Sequence, residues 1–194
     1  MARKVTISKE MILDAALRML IRDGYQTVNI KTLAAEIGCS TQPIAWHFEN
    51  MEGLRKALAQ YAKDHSRERI GSGSENAVDT FERMGREYIR MATDEPNLFR
   101  FLYLGESPLS RTYTMSDLFG DENENSIAEK IAEQTGLPVK SAVRCIQNTV
   151  IYSHGLATMI ATGVFKASPE DAMFMIKAAS ESFVMKERMT DHEL

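Results

Sequence analysis

Asn29-Ile30-Lys31-Thr32-Leu33-Ala34-Ala35-Glu36-Ile37-Gly38-Cys39-Ser40-Thr41-Gln42-Pro43-Ile44-Ala45-Trp46-His47-Phe48 reads as two short helices joined by a tight turn. Asn29 is suited to cap the first, because its side-chain oxygen can accept from the free backbone N–H groups of the opening turn. Ile30, Leu33, Ala34 and Ile37 recur at helical spacing and make one apolar face. Gly38 can take the left-handed conformation that ends a helix without a Cβ clash. Ser40 is the expected cap of the second helix. Pro43 then falls in its first turn, at the third position, where no intrahelical N–H partner is needed. Ile44 and Phe48, four apart, are expected to anchor that helix.

This is the pattern of a helix-turn-helix, whose second helix places its N-terminal residues against base edges in the major groove of duplex DNA. The outward face is left with Thr41, Gln42, Pro43, Trp46 and His47. It carries no Lys or Arg, so base readout is expected from Thr41, Gln42 and His47; a glutamine can pair bidentately with adenine. A helical hairpin that never meets DNA would give the same local pattern.

The flanking sequence builds a larger unit. Ser8 can cap a helix over Lys9 to Asp23, with Ile12, Ala15, Ala16, Met19 and Leu20 on one face and Gly24 as its stop. A fourth helix is expected from about Met51 to Arg69, with Leu54, Leu58 and Tyr61 on one side. The first 65 or so residues, about a third of the chain, resemble the N-terminal domain of TetR-family transcriptional regulators. The matching residues are Ile12-Leu13-Asp14-Ala15-Ala16, Gly24-Tyr25, Leu33-Ala34, Gly38-Cys39-Ser40, His47-Phe48 and Leu54. The resemblance implies a DNA-binding domain followed by a larger helical domain that binds a small ligand and dimerises. Two positions depart from the family pattern. Ala45 stands where an aromatic Tyr is usual, and Met51 where a Lys usually opens the fourth helix; both family residues commonly contact DNA phosphates. Trp46 is positioned to offer an indole N–H to a phosphate instead, or to pack on the fourth helix.

Charge supports the same division. The net charge of −4 conceals 11 Lys/Arg against 8 Asp/Glu in residues 1–70, and 12 against 19 in residues 71–194. Phosphate contacts supply most non-specific DNA affinity, so the positive end is expected to face DNA. Arg3, Lys4, Lys9 and Lys31 are the cations best placed there. With Asn29 at the start of the first helix and Ser40 beside the turn, they complete the candidate DNA-binding set. Cys39 and Cys145, one in each part, give neither a disulfide framework nor metal spacing. No cofactor is expected. The opening Met-Ala-Arg-Lys-Val-Thr lacks the apolar core of a signal peptide, so a cytoplasmic protein is expected.

The expected organisation is all-α, with about nine helices. It comprises a DNA-binding domain over 1–50, a connecting helix over 51–70 and a ligand-binding and dimerisation domain over 71–194. Gly71-Ser72-Gly73-Ser74 marks the break. Beyond it a helix over about 75–93 carries Phe81, Met84, Tyr88 and Met91 at helical spacing. Leu98 to Leu104 is apolar nearly all round and should be buried. Twelve methionines and 14 Phe and Tyr residues invite an adaptable apolar pocket. Tyr88, Met91, Phe99, Tyr103, Tyr113, Phe119 and Tyr152 are candidates to line it for a small apolar or aromatic ligand, with His154 to orient the guest; the same residues would also serve as ordinary core.

Residues 145–165 contain no Lys, Arg, Asp or Glu, yet Gln147, Asn148, Ser153, His154 and Thr158 make a membrane span an expensive reading. A helix buried in a protein bundle is expected instead. Ser153, Ala157 and Ala161 form a small-residue stripe, and the closing helix carries Ala172, Ile176, Ala179 and Phe183. In TetR-like proteins the last two long helices pair about a two-fold axis, so these residues are the candidate homodimer interface. The functional expectation is a ligand-responsive repressor that binds a pseudo-palindromic operator on double-stranded DNA as a homodimer. The alternative is a helical ligand-binding or adaptor protein with weakened DNA contact, for which Ala45 and Met51 speak. An enzyme finds little support: no Walker loop, His-Glu-x-x-His or Gly-x-Gly-x-x-Gly occurs.

Overall fold

A computed structural model describes residues 7–70, 77–107 and 122–191. Among them the regular structure is helical. It comprises α1 (Lys9–Asp23), a 3-10 turn (Tyr25–Thr27), α2 (Ile30–Ile37), α3 (Gln42–Phe48), α4 (Met51–Ile70), α5 (Ala77–Asp94), α6 (Pro96–Tyr103), α7 (Glu122–Thr135), α8 (Val139–Ala161) and α9 (Pro169–Asp191). The chain divides into two compact units, Met1–Arg69 with Glu95–Arg111, and Ile70–Asp94 with Thr112–Leu194. One break falls between Arg69 and Ile70 and another between Asp94 and Glu95. The segment holding α6 belongs with the first unit.

The first unit is built around α1. Its cap forms as expected, with Ser8 Oγ accepting from the Met11 N–H at 3.1 Å. Ile12, Ala16 and Leu20 are fully buried, as are Leu33, Ile44, Leu54 and Leu58 from the three helices that follow. These residues are the apolar stripes of the sequence turned onto one core. The largely apolar segment Leu98 to Leu104 is mostly buried too, with Leu98, Phe99 and Phe101 inaccessible to solvent and Tyr103 left exposed. It packs on α1. The Asn97 side-chain amide donates to the Ile21 carbonyl at 2.9 Å, the Phe101 ring lies 4.8 Å from that of Tyr25, and the Arg69 guanidinium grips both oxygens of Glu95 at 2.9 and 2.7 Å.

Within the second unit α8 packs against α5, α7 and α9. Ala142, Cys145, Ala157 and Ala161 are buried, so one face of the uncharged run 145–165 packs inside the bundle, while Ile151 and Met159 on its other side remain exposed, which differs from the expected burial on most sides. Ser168 caps α9 by accepting from the Asp171 N–H at 3.0 Å. Arg144 pairs with Glu187, and Arg188 donates to the Thr135 carbonyl at 2.7 Å, tying α9 to α8 and to the end of α7. No helix among the described residues is long and apolar enough to cross a membrane.

The cap of α2 makes the first testable point. Asn29 Oδ1 accepts from the N–H groups of Lys31 and Thr32 at 3.0 and 3.1 Å, and Thr32 Oγ1 accepts from the Asn29 N–H at 3.1 Å. Asn29→Ala removes the side-chain half of this reciprocal pair. It should lower unfolding free energy by about 1 kcal/mol in a urea titration. An unchanged midpoint would show that the cap contributes nothing.

Candidate DNA-binding site

The turn between α2 and α3 is set by Gly38, at φ 74° and ψ 35°. Its N–H, and that of Cys39, fold back onto the carbonyls of Ala35 and Ala34 at 3.2 and 2.9 Å, closing α2. The cap of α3 falls one residue later than expected. Thr41, not Ser40, is the N-cap, and it makes no side-chain capping bond. Pro43 accordingly sits at the second helical position, where its fixed φ still suits the first turn.

Ile44, with no exposed surface, and Phe48, at 5%, root α3 in the core. The other side of the helix is bare. Thr41, Gln42 and Ala45 are exposed, Pro43 is half-buried, and Trp46 is 85% exposed. Trp46 therefore does not pack on α4. An indole this exposed is unusual for a residue that carries so much apolar surface, and exposed apolar surface marks contact sites when it is contiguous with a polar rim. Lys31, Ser40 and Lys9 are exposed on the same unit. The Lys9 ammonium sits 5.6 Å from the centre of the Phe48 ring.

Three residues of the expected DNA set stand differently. Asn29 uses its oxygen to cap the start of α2, so it has little left to offer a base. His47 is exposed, but its Nε2 lies 3.0 Å from the Ile7 carbonyl, so one ring nitrogen is already engaged. Lys4, with Arg3, lies outside the described residues.

Sequence reasoning missed Gly53. It is the third residue of α4, and a Cβ there would lie 2.2 Å from the Phe48 carbonyl oxygen. The last turn of α3 and the first turn of α4 are thus pressed together around Asn50, whose Oδ1 accepts from the Gly53 N–H at 3.0 Å. Glu49, between them, is the one non-glycine residue among those described with positive φ, at 61°. A glycine in the first turn of a helix, where most residues would be more stable, is the signal that could have revealed this approach.

Electrostatics in the unit are local. Arg22 on α1 holds both oxygens of Glu36 on α2 at 3.1 Å, and its hydrogen bond keeps that carboxyl below the usual carboxylate range. Tyr61 donates to Asp14 at 2.6 Å, and that bond pushes its phenol up to about 12. The first ties α1 to α2 and the second ties α1 to α4. No group of three or more His, Cys, Asp or Glu able to hold a metal occurs among the described residues.

The expected ligand pocket is only partly gathered. Tyr88 on α5 and His154 on α8 meet, with 2.5 Å between the phenol oxygen and Nδ1. Desolvation lowers the His154 pKa, so its Nδ1 can accept from the phenol. Met91 is buried and Tyr152 half-buried in the same unit. Phe99 and Tyr103 are not with them. They belong to the first unit, their rings 5.2 Å apart, because α6 packs on α1. Tyr113 and Phe119 lie outside the described residues. An open apolar groove of about 320 Å³ is lined by Tyr152 together with Ile151, Gly155, Leu156, Met159, Phe165 and Met175.

The expected dimer face is also redistributed. Ala157, Ala161, Ala172 and Ile176 are buried within their own unit and cannot present themselves to a second subunit. Ser153, Ala179 and Phe183 are half-buried. The small residues serve close packing inside one subunit. Beyond Val139 at the start of α8, the exposed large apolar side chains on the same helices are Ile151 and Met159 on α8, and Phe174, Met185 and Met189 on α9. Their spacings of 8, 11 and 4 place each set on one helical stripe.

Comparison with known proteins agrees with the helix-turn-helix. Residues 12–58 match the family model described as bacterial regulatory proteins, tetR family. An uncharacterized HTH-type transcriptional regulator of Mycobacterium tuberculosis is 25% identical over 184 residues, covering 89% of this chain and 79% of the relative. Among solved structures, TetR from Acinetobacter baumannii AYE aligns with TM-score 0.55 at 18% identity, over 94% of this chain and 98% of that one. A variant of that TetR in complex with minocycline aligns with TM-score 0.53 at 15% identity, over the same shares. At those identities the likeness shows a shared fold.

Proposed function

We propose, for a chain that belongs to the TetR family of helix-turn-helix transcriptional regulators, that it is a ligand-responsive repressor acting as a homodimer on a pseudo-palindromic operator. The observation that carries this reading is α3. The helix is rooted by Ile44 and Phe48, while Thr41, Gln42 and Trp46 stand in solvent. None of those three side chains makes a hydrogen bond among the described residues. They are free to meet base edges and the sugar–phosphate wall of the major groove. Lys9 and Lys31 supply phosphate contacts. Acting on the chromosome, the protein would work in the cytoplasm.

Two chains related by a two-fold axis through the exposed stripes of α8 and α9 would set two α3 helices about one DNA turn apart, ~34 Å. The effector is a small apolar or aromatic molecule held in the second unit, where the Tyr88–His154 pair offers a polar anchor. The minocycline complex of the Acinetobacter TetR is the support for a small-molecule effector. Such a ligand weakens DNA binding only through its differential affinity for the two conformations.

The test is fluorescence anisotropy with a labelled duplex from the region upstream of the protein's own gene. Binding should be salt-sensitive, and Gln42→Ala should cost about 1–3 kcal/mol per half-site. Equal affinity of the parent and Gln42→Ala chains would remove Gln42 from the readout. No binding to any upstream fragment at low salt would remove the regulator reading.

A further inference from the structure

The part of α3 that stands in solvent is chemically narrow. Thr41 and Ala45, and Gln42 and Trp46, are each four residues apart, so they form two adjacent rows turned away from Ile44 and Phe48. Pro43, three residues before Trp46, borders the second row. It also lines a hollow with Ile7, Met11 and Ile37, so apolar surface continues past the helix on that side. From Gln42 to Phe48 there is no Lys, Arg, Asp or Glu. Base edges in the major groove ask different things of such a face. Guanine presents two acceptors, N7 and O6, met most often by Arg or Lys, and cytosine presents a donor met by Asp or Glu. The helix offers none of these. His47 does not supply the missing donor. Its Nε2 lies 3.0 Å from the Ile7 carbonyl, which can only accept, so Nε2 carries the proton in that contact. In the neutral ring Nδ1 is then an acceptor, and guanine's N7 and O6 give it nothing to accept. Adenine presents N7 as acceptor beside N6 as donor, which match the N–H and oxygen of one glutamine amide. Thymine presents a methyl group, which is met by apolar surface. Pro43, Ala45, the Thr41 methyl and Trp46, at 85% exposure, supply that surface.

We propose that the half-site read by α3 is a run of A·T pairs. Gln42 takes one adenine edge bidentately, and Thr41, Pro43, Ala45 and Trp46 cover thymine methyl groups beside it. Guanine has no part in the readout by this helix. The inference rests on the reading of the chain as a DNA-binding regulator and narrows its target to a class of base sequence.

The test is anisotropy of the full chain on the upstream duplex and on copies in which one base is replaced throughout by an analogue that keeps Watson–Crick pairing. Replacing adenine by 7-deazaadenine removes the N7 acceptor and should weaken binding about tenfold per half-site, the order of one base contact. Replacing thymine by uracil removes the methyl group and should cost about fourfold for each methyl covered. Replacing guanine by 7-deazaguanine should leave affinity unchanged. In Gln42→Ala the 7-deazaadenine penalty should vanish. A larger loss from 7-deazaguanine than from 7-deazaadenine, or undiminished affinity for the uracil duplex, would overturn the inference. A full 7-deazaadenine penalty in Gln42→Ala would overturn it as well, because adenine would then be read by another residue. The two levels fail differently. No binding to any unmodified upstream duplex at low salt sinks the regulator reading and this inference with it, whereas binding with the wrong analogue pattern sinks this inference alone.

Discussion

Gly53→Ala should destabilise the first unit by about 3 kcal/mol, because the new Cβ would stand 2.2 Å from the Phe48 carbonyl oxygen. That neighbour is backbone and cannot swing aside. The turn through Glu49 and Asn50 is already tight, with the Asn50 N–H 2.6 Å from the same oxygen and Glu49 at positive φ. The only relief is a shift of α3 against α4. Since α3 carries the residues proposed to face DNA, binding should fall by more than the loss of folded protein explains. Gly85→Ala is the matching control. Gly85 is helical, and a Cβ added there would meet nothing within 4 Å, so alanine should be neutral or stabilising by up to about 1 kcal/mol. Thermal melts of the two variants decide the point. Equal behaviour would mean that the close approach at Phe48 does not exist in solution.

On the proposed homodimer, Phe174→Asp should leave a monomer. Phe174 is 75% exposed in the single subunit, and Met185 and Met189 extend the same stripe at 63% and 69%. If this face closes on a second copy, each Asp carries a charge into an apolar interface, at several kcal/mol apiece, and two-fold symmetry applies the penalty twice. The dimer dissociation constant should rise by at least about a thousandfold. Sedimentation velocity at micromolar concentration would show the change. DNA affinity should fall with it, since two half-sites would no longer be bound together. A variant that remains dimeric would move the interface away from α9.

The helix-turn-helix was legible because its determinants are local. Asn29, Gly38, Ile44 and Phe48 each act within a few residues, through a cap, a left-handed turn and one apolar stripe. The structure uses them as read, except that the cap of α3 slips from Ser40 to Thr41. Contacts that join distant segments were not legible. Leu98, Phe99, Phe101 and Leu102 are buried as read, while Tyr103 in the same segment is exposed, and nothing in the segment's own pattern says that α1 is what buries it. Gly53 and His47 take their meaning from Phe48 and Ile7, partners that only the tertiary arrangement identifies. The dimer face shows a different limit. Small residues such as Ala157 and Ala161 permit close helix packing, and sequence does not say whether the neighbouring helix belongs to the same chain. In this protein it does, and Phe174 and Met185 are left outside.

Trp46 is the chain's single tryptophan and stands on the solvent face of α3, so its fluorescence reports the surface in question without any label. Titrating the protein with the upstream duplex should change an initially solvent-exposed emission, saturate at one dimer per operator, and reverse as salt is raised. An indole that already emits as buried in the free protein, or one that stays unchanged while DNA is bound, would contradict a DNA-reading role for α3.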